Sequence, residues 1–163
     1  MRWDELDREQ KIWTPTPDRT KNETVHLVPL TGPAISLIET MQVLNGSTPY
    51  VFASPRRTNG TDTNAGQERN PIRTDSVGTA LTRALDEAGI THFSSHDLRR
   101  TAATNISALG YTDDLIGRIL NHKNRTVTAR YNRHSYLDEK RAALEAWANR
   151  LDEITAREKQ LSE

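Results

Sequence analysis

The spacing of apolar positions changes along this 163-residue chain. Residues 11–14 (Lys-Ile-Trp-Thr) and 24–30 (Thr-Val-His-Leu-Val-Pro-Leu) are short runs containing β-branched and aromatic residues, and they predict two strands. The turn-rich link between them makes a β-hairpin the simplest reading, with Lys21 near its tip. Thr31 then caps a helix whose first turn holds Pro33, where a missing N–H costs little. In it Ile35, Leu37, Ile38, Met41 and Leu44 recur at helical spacing, and Gly46 is the stop signal. Tyr50-Val51-Phe52 predicts a short buried strand or extended segment. Residues 54–74 are polar, and a loop of about twenty residues is long enough to be either functional or disordered. Asp75 or Ser76 opens the next helix, with Val77, Ala80, Leu81, Ala84 and Leu85 on its apolar face and an end near Gly89. Ser95 caps a helix that runs to Gly110. Thr112 caps another, with Leu115, Ile116, Ile119 and Leu120 facing inward. A short helical piece at 126–132 carries Tyr131. A long helix starts at Leu137, where Leu144, Trp147, Leu151 and Ile154 form a narrow seam, and it frays beyond about residue 155. The expected class is α+β, mostly helical, with a small antiparallel sheet near the N-terminus.

Composition narrows this picture. Hydrophobic residues are 34% of the chain, below the roughly 45–50% of an average domain, so the core is expected to be modest. No run approaches the roughly 20 apolar residues of a membrane span. The N-terminus lacks the apolar stretch of a secretion signal. With no cysteine, disulfides, thiolate metal sites and Cys nucleophiles are excluded. These features predict a soluble cytoplasmic protein with no membrane partner. Five N-x-S/T sequons fit chance in a chain rich in Asn and Thr.

Charge changes the reading more. Lys plus Arg and Asp plus Glu are 22 each, which argues against a uniformly basic nucleic-acid binder. The balance is not even along the chain. Residues 92–135 carry seven basic and three acidic groups and four of the five His, while both flanks are slightly acidic. Within this segment, His96-Asp97-Leu98-Arg99-Arg100-Thr101 places His96 and Arg99 on one helix face, three positions apart, with Leu98 and Ala102 turned inward. Arginine offers a planar fork of donors suited to phosphate, and histidine adds another donor. His122 follows in Leu-Asn-His-Lys, and Tyr131 comes nine residues later. These residues suggest a phenolate attacking a phosphodiester while cations hold its non-bridging oxygens. Each has a plainer reading. Tyr131 alone is an ordinary helix tyrosine, Lys21 a solvated lysine, and Arg100 a partner for Asp97. His92 and His96 are four apart, but no third ligand of fitting type lies nearby, so no metal and no cofactor are expected.

Order and spacing together resemble the catalytic domain of tyrosine recombinases, the phage-integrase family. The marks are the His-x-x-Arg box at His96 and Arg99, the turn Leu120-Asn121-His122-Lys123, and Thr128-Ala129-Arg130-Tyr131. Asn121 stands where many members have Gly. The start agrees: Trp3-Asp4-Glu5-Leu6-Asp7, Arg19-Thr20-Lys21-Asn22 and His26-Leu27-Val28-Pro29-Leu30 are similar to the family's strand and hairpin region, with its lysine at Lys21. The resemblance covers roughly residues 1–31 and 91–150. The tail from Tyr136 through Trp147 is similar to that of prophage-type integrases, which are encoded by bacteria or phages.

The resemblance implies a mechanism and a partner. Tyr131 attacks the scissile phosphate and forms a 3′-phosphotyrosyl link, with Arg99, His96 and His122 meeting the charge. His96 accepts the phenol proton and Lys21 protonates the leaving 5′-oxygen. Double-stranded DNA with attachment-type sites is the partner, with other recombinase protomers on the same DNA, and Arg100, Lys123, Arg125 and Arg130 are candidate DNA contacts. The family also has a first catalytic Arg, closely followed by Glu, in a helix before the Trp3 segment, and no residue here takes that role. The domain is therefore expected to span residues 1–155, without that helix and with impaired cleavage, followed by a polar tail at 156–163. Two alternatives remain: a non-catalytic DNA-binding or regulatory fragment, and a helical interaction module.

Overall fold

The computed structural model describes residues 1–20, 23–54, 70–91, 93–122 and 136–161. Among them are three short strands, β1 (Leu6–Asp7), β2 (Ile12–Trp13) and β3 (Val28–Pro29). Five helices follow: α1 (Gly32–Asn45), α2 (Thr74–Glu87), α3 (Ser95–Ala108), α4 (Asp113–Ile119) and α5 (Leu137–Leu161). The expected class, mostly helical with a small antiparallel sheet near the N-terminus, is what is observed. The chain divides into two compact units, Met1–Asp4 with Leu37–Thr101, and Glu5–Ser36 with Ala102–Glu163.

In the second unit the sheet order is β1-β2-β3, antiparallel throughout. Ile12 pairs with Pro29 and Trp13 with Val28, which is the expected hairpin pairing. β1, which the apolar pattern does not announce, lies on the other side of β2, with Leu6 opposite Trp13. The turn between them is closed by Asp7, whose carboxylate accepts from the Gln10 N–H at 2.8 Å. The strand expected over 24–30 shrinks to Val28–Pro29, and Val25 is exposed. Pro15 ends the ladder on β2 because it has no N–H to donate, and Pro29 is tolerated because β3 is an edge strand.

The core of this unit is Ile106, Leu115, Ile116 and Ala143, with Tyr111, Tyr136, Leu144 and Trp147 packed around it. It joins the C-terminal half of α3 to α4 and α5. The seam on α5 therefore splits. Leu144 and Trp147 pack against the core, whereas Leu151 and Ile154 stay exposed. The helix does not fray near 155 but continues to Leu161. Straight-chain residues such as Arg157 and Gln160 have good helix propensity and need no packing to extend it.

In the first unit Val51 is 0% exposed. Its N–H donates to the Met1 carbonyl at 3.2 Å, and its carbonyl accepts from the Asn45 amide at 2.8 Å. The expected burial of Phe52 is not observed. Successive residues of an extended segment point to opposite sides, so Val51 faces in and Phe52 faces out. Ser54 donates to Asn70 and Ile72 to Phe52, so the two ends of the predicted loop are tied together, while residues 55–69 lie outside the described residues. The next helix starts at Thr74 rather than at Asp75 or Ser76. Its expected apolar face covers little, since no residue of α2 is buried.

Candidate functional site

The His-x-x-Arg segment forms the first turn of α3. The helix starts at Ser95, and Ser94, one residue earlier than expected, serves as its cap. The Asp97 carboxylate reaches back to the Ser94 hydroxyl at 2.7 Å and the Ser94 N–H at 3.0 Å. This is a capping box, in which the third helical residue satisfies the backbone donor left open at the start. Asp97 is thus committed to the helix terminus, while His96 and Arg99 are both exposed. Arg100 lies 3.7 Å from Asp97 and remains largely exposed. The expectation that Leu98 turns inward is not met, since it is 53% exposed.

The two Ser94 hydrogen bonds, side chain first, hold the Asp97 carboxyl below the usual aspartate range. A depressed folded-state pKa contributes stability above the unfolded value, near 3.8, and that contribution is lost as pH falls through the lower folded value. Acid is therefore expected to loosen the first turn of α3. The protection of the Asp97 and Leu98 amides, relative to the intrinsic exchange rate at each pH, should fall below about pH 4 in the native chain. In Asp97→Asn that protection should already be low at neutral pH and nearly independent of pH. An unchanged acid profile in that variant would refute the assignment.

His122 stands just beyond the C-terminus of α4. Thr112 caps the start of this helix, as expected, accepting from the Leu115 N–H. The end is a Schellman motif: the His122 N–H donates to Gly117 O at 2.9 Å and the Asn121 N–H to Arg118 O at 3.2 Å. That geometry puts Asn121 at φ 53, the left-handed region. Asparagine tolerates this region better than most residues, which explains physically why Asn can stand at a position that favours glycine. Asn121→Gly should leave the helix end intact, whereas Asn121→Val should cost about 1–2 kcal/mol from the clash of its β-carbon with the carbonyl. Thermal denaturation of the two variants checks this, and equal midpoints would refute it.

In the last turn of α4, Arg118 donates to Asp114 at 2.7 Å and lies 4.0 Å over the Tyr136 ring. Tyr136 itself has φ 52 and its carbonyl accepts from the Lys140 N–H, opening α5. Lys140 is buried, and its Nζ donates to the Leu27 carbonyl, 113 residues away. Burial, and secondarily Arg118, push the Lys140 ammonium below the ordinary lysine range. Arg141 donates to the Gln10 carbonyl. The sequence reading assigned no part to Lys140 or Arg118, and no local pattern could have announced them, because their partners are set by packing.

The segment between β2 and residue 20 is tied to Glu5. Glu5, with its side chain only 3% exposed, accepts from Arg19 Nη1 at 2.6 Å and from the Trp13 indole at 3.1 Å. Pro17–Arg19 forms a single 3-10 turn, and the Thr20 hydroxyl donates to the carbonyls of Pro17 and Thr24. Glu23 donates back to Thr20 at 3.1 Å, so the residues on either side of 21–22 are joined.

Of the expected site residues, the structure puts His96 and Arg99 on one exposed turn and His122 at the end of α4. Lys21 and Tyr131 lie outside the described residues, as do His92, Lys123, Arg125, Arg130 and the short helix expected at 126–132. Among the described residues there is no group of three or more His, Cys, Asp or Glu able to hold a metal ion. No helix among them is long and apolar enough to cross a membrane.

Comparison with known proteins adds an independent line. Residues 1–137 match the profile of the phage integrase family. The chain is 32% identical over 149 residues to prophage integrase IntA of Escherichia coli, covering 91% of this chain and 33% of that protein. It is 26% identical over 155 residues to the integrase of Shigella phage Sf6, covering 94% of this chain and 37% of that protein. The chain thus spans about a third of the length of these relatives.

Proposed function

Because the chain belongs to the phage integrase family, we propose that it carries strand-cleavage and rejoining chemistry for site-specific recombination of double-stranded DNA. In this reading the Tyr131 Oη attacks the scissile phosphorus and the bond from phosphorus to the 5′-oxygen breaks. A 3′-phosphotyrosyl link and a free 5′-hydroxyl result. That hydroxyl, or one from a partner strand, later attacks the link and releases the tyrosine. One phosphoester bond replaces another, so no ATP is needed.

The roles follow from the side chains. Arg99 presents two parallel donors to the non-bridging oxygens, and His96 and His122 add further donors. A phenol with a solution pKa near 10 needs a base or strong positive charge, and His96 is the base in this scheme. Lys21 gives a proton to the departing 5′-oxygen. Arg100, Lys123, Arg125 and Arg130 contact the DNA backbone and hold register rather than sequence.

The observation that carries this reading is the first turn of α3. Asp97, the acidic residue inside the box, is taken up by the helix cap, and His96 and Arg99 are exposed on the same turn. None of these 163 residues is assigned the family's first arginine. Loss of one charged donor typically costs about 10²–10³ in rate. Weak cleavage by this chain is therefore the expected result, and a purely DNA-binding role is the competing reading.

Nicked duplex DNA with an attachment-type site tests this, because loss of the short strand after cleavage traps the covalent adduct. The expected outcome is a slow adduct together with DNA affinity that falls steeply with salt. Salt-dependent binding without any adduct would favour the DNA-binding reading. Affinity independent of salt would overturn both.

A further inference from the structure

We propose that Arg118 is a positioning residue that holds the last turn of α4, and with it His122, against the start of α5. The proposal rests on the strand-cleavage reading for what His122 does, but not for how the helix end is held. Arg118 stands four residues after Asp114, and its Nε donates to that carboxylate at 2.7 Å. This is the favourable helical order, with the acid one turn before the base. The guanidinium also lies 4.0 Å over the Tyr136 ring. A planar guanidinium can donate along its edge and stack through its face at once. The Tyr136 ring is a fixed platform. It packs against the core of Ile106, Leu115, Ile116 and Ala143, and the Tyr136 carbonyl accepts the Lys140 N–H. Lys140 is buried and donates in turn to the Leu27 carbonyl, just before β3. The contacts thus run from the sheet through the first turn of α5 to the end of α4. At that end the Arg118 carbonyl accepts the Asn121 N–H and the Gly117 carbonyl accepts the His122 N–H. His122 closes the cap, so its backbone follows any tilt of this turn. The Arg118 side chain is only 23% exposed and its charge faces Asp114, so it is poorly placed to grip a phosphate itself. Its part is to keep the exposed His122 in register, where a displacement of about 1 Å is enough to slow the chemistry.

The experiment has two arms on the full chain. In the first, hydrogen exchange at single amides is followed by NMR in the native protein and in Arg118→Met. This variant keeps an apolar side chain over the ring but loses the charge and the bond to Asp114. Protection of the Asn121 and His122 amides is expected to fall about tenfold, the equivalent of one partly covered cation–π contact. The Ile116 amide, which donates to Thr112 in the first turn of the same helix, keeps its protection. If protection falls equally at Ile116, Arg118 merely supports the helix and the proposal is overturned. Unchanged protection at all three amides overturns it as well.

The second arm follows adduct formation on nicked duplex DNA. Arg118→Met is expected to slow it about tenfold at saturating DNA, with the salt dependence of DNA binding unchanged. Once His122→Ala has removed the imidazole, its placement no longer matters, so the double variant should be no slower than His122→Ala alone. Losses that multiply would mean that Arg118 acts apart from His122, and a shallower salt dependence in Arg118→Met would make it a phosphate contact. Either result overturns the proposal. If the native chain forms no adduct, the strand-cleavage reading fails and the exchange pattern alone decides whether Arg118 holds the turn.

Discussion

Tyr131→Phe is expected to abolish the covalent protein–DNA adduct outright, while Tyr136→Phe leaves it in place. Removing the phenolic oxygen removes the only atom in this scheme that can bond to phosphorus, so no residual adduct is expected at any pH or incubation time. Tyr136 is the nearest rival in sequence, and its surroundings give it another task. Its ring lies under the Arg118 guanidinium at 4.0 Å and packs against the α4–α5 core. Its carbonyl receives the first backbone N–H of α5. A phenyl ring keeps that stacking, so Tyr136→Phe should cost stability of no more than about 0.5–1 kcal/mol and no adduct. Gel separation of the adduct after proteolysis of unbound protein reads the result. An adduct that persists in Tyr131→Phe and vanishes in Tyr136→Phe would reverse the assignment of the nucleophile.

Ile106→Ala should produce the largest loss of stability among single truncations of the second unit. Ile106 is 2% exposed and touches a core shared by α3, α4 and α5. Truncating a buried Ile to Ala costs about 2–5 kcal/mol, part from lost transfer energy and part from the cavity left behind. Against a typical total of about 5–15 kcal/mol, that is a large fraction. Val43→Ala on α1 provides the contrast. Val43 is 87% exposed, and the change should stay within about 0.5 kcal/mol. Urea denaturation followed by helical circular dichroism measures both. A shift for Ile106→Ala no larger than that for Val43→Ala would mean that the core is not where the packing puts it.

Much of the fold was legible along the chain because helix ends are local. A helix stops when its last carbonyls find partners within a few residues, and Gly89, Gly110 and Asn121 each take up positive φ to make that possible. Thr112 likewise caps α4 using only an atom three residues ahead. Burial was less legible. Leu98 and Phe52 look like core residues in any pattern of apolar positions, yet both are exposed. Their exposure depends on what packs opposite them, which periodicity cannot express. The shortening of β3 was readable in retrospect from Pro15, since a proline opposite an expected ladder position removes its donor.

The order and spacing of His96, Arg99, His122 and Tyr131, the helix stops at Gly89, Gly110 and Asn121 and the basic segment that holds these residues were determined by the sequence itself. They arise from side-chain chemistry and from hydrogen bonds that close within about one helical turn. The tertiary structure alone decided that His96 and Arg99 stay exposed. It alone decided that Glu5 holds Arg19 from 14 residues away and that Lys140 reaches Leu27 across 113. Those pairings form only when distant segments are brought together and excluded from water, where an unpaired charge is costly enough to choose its partner.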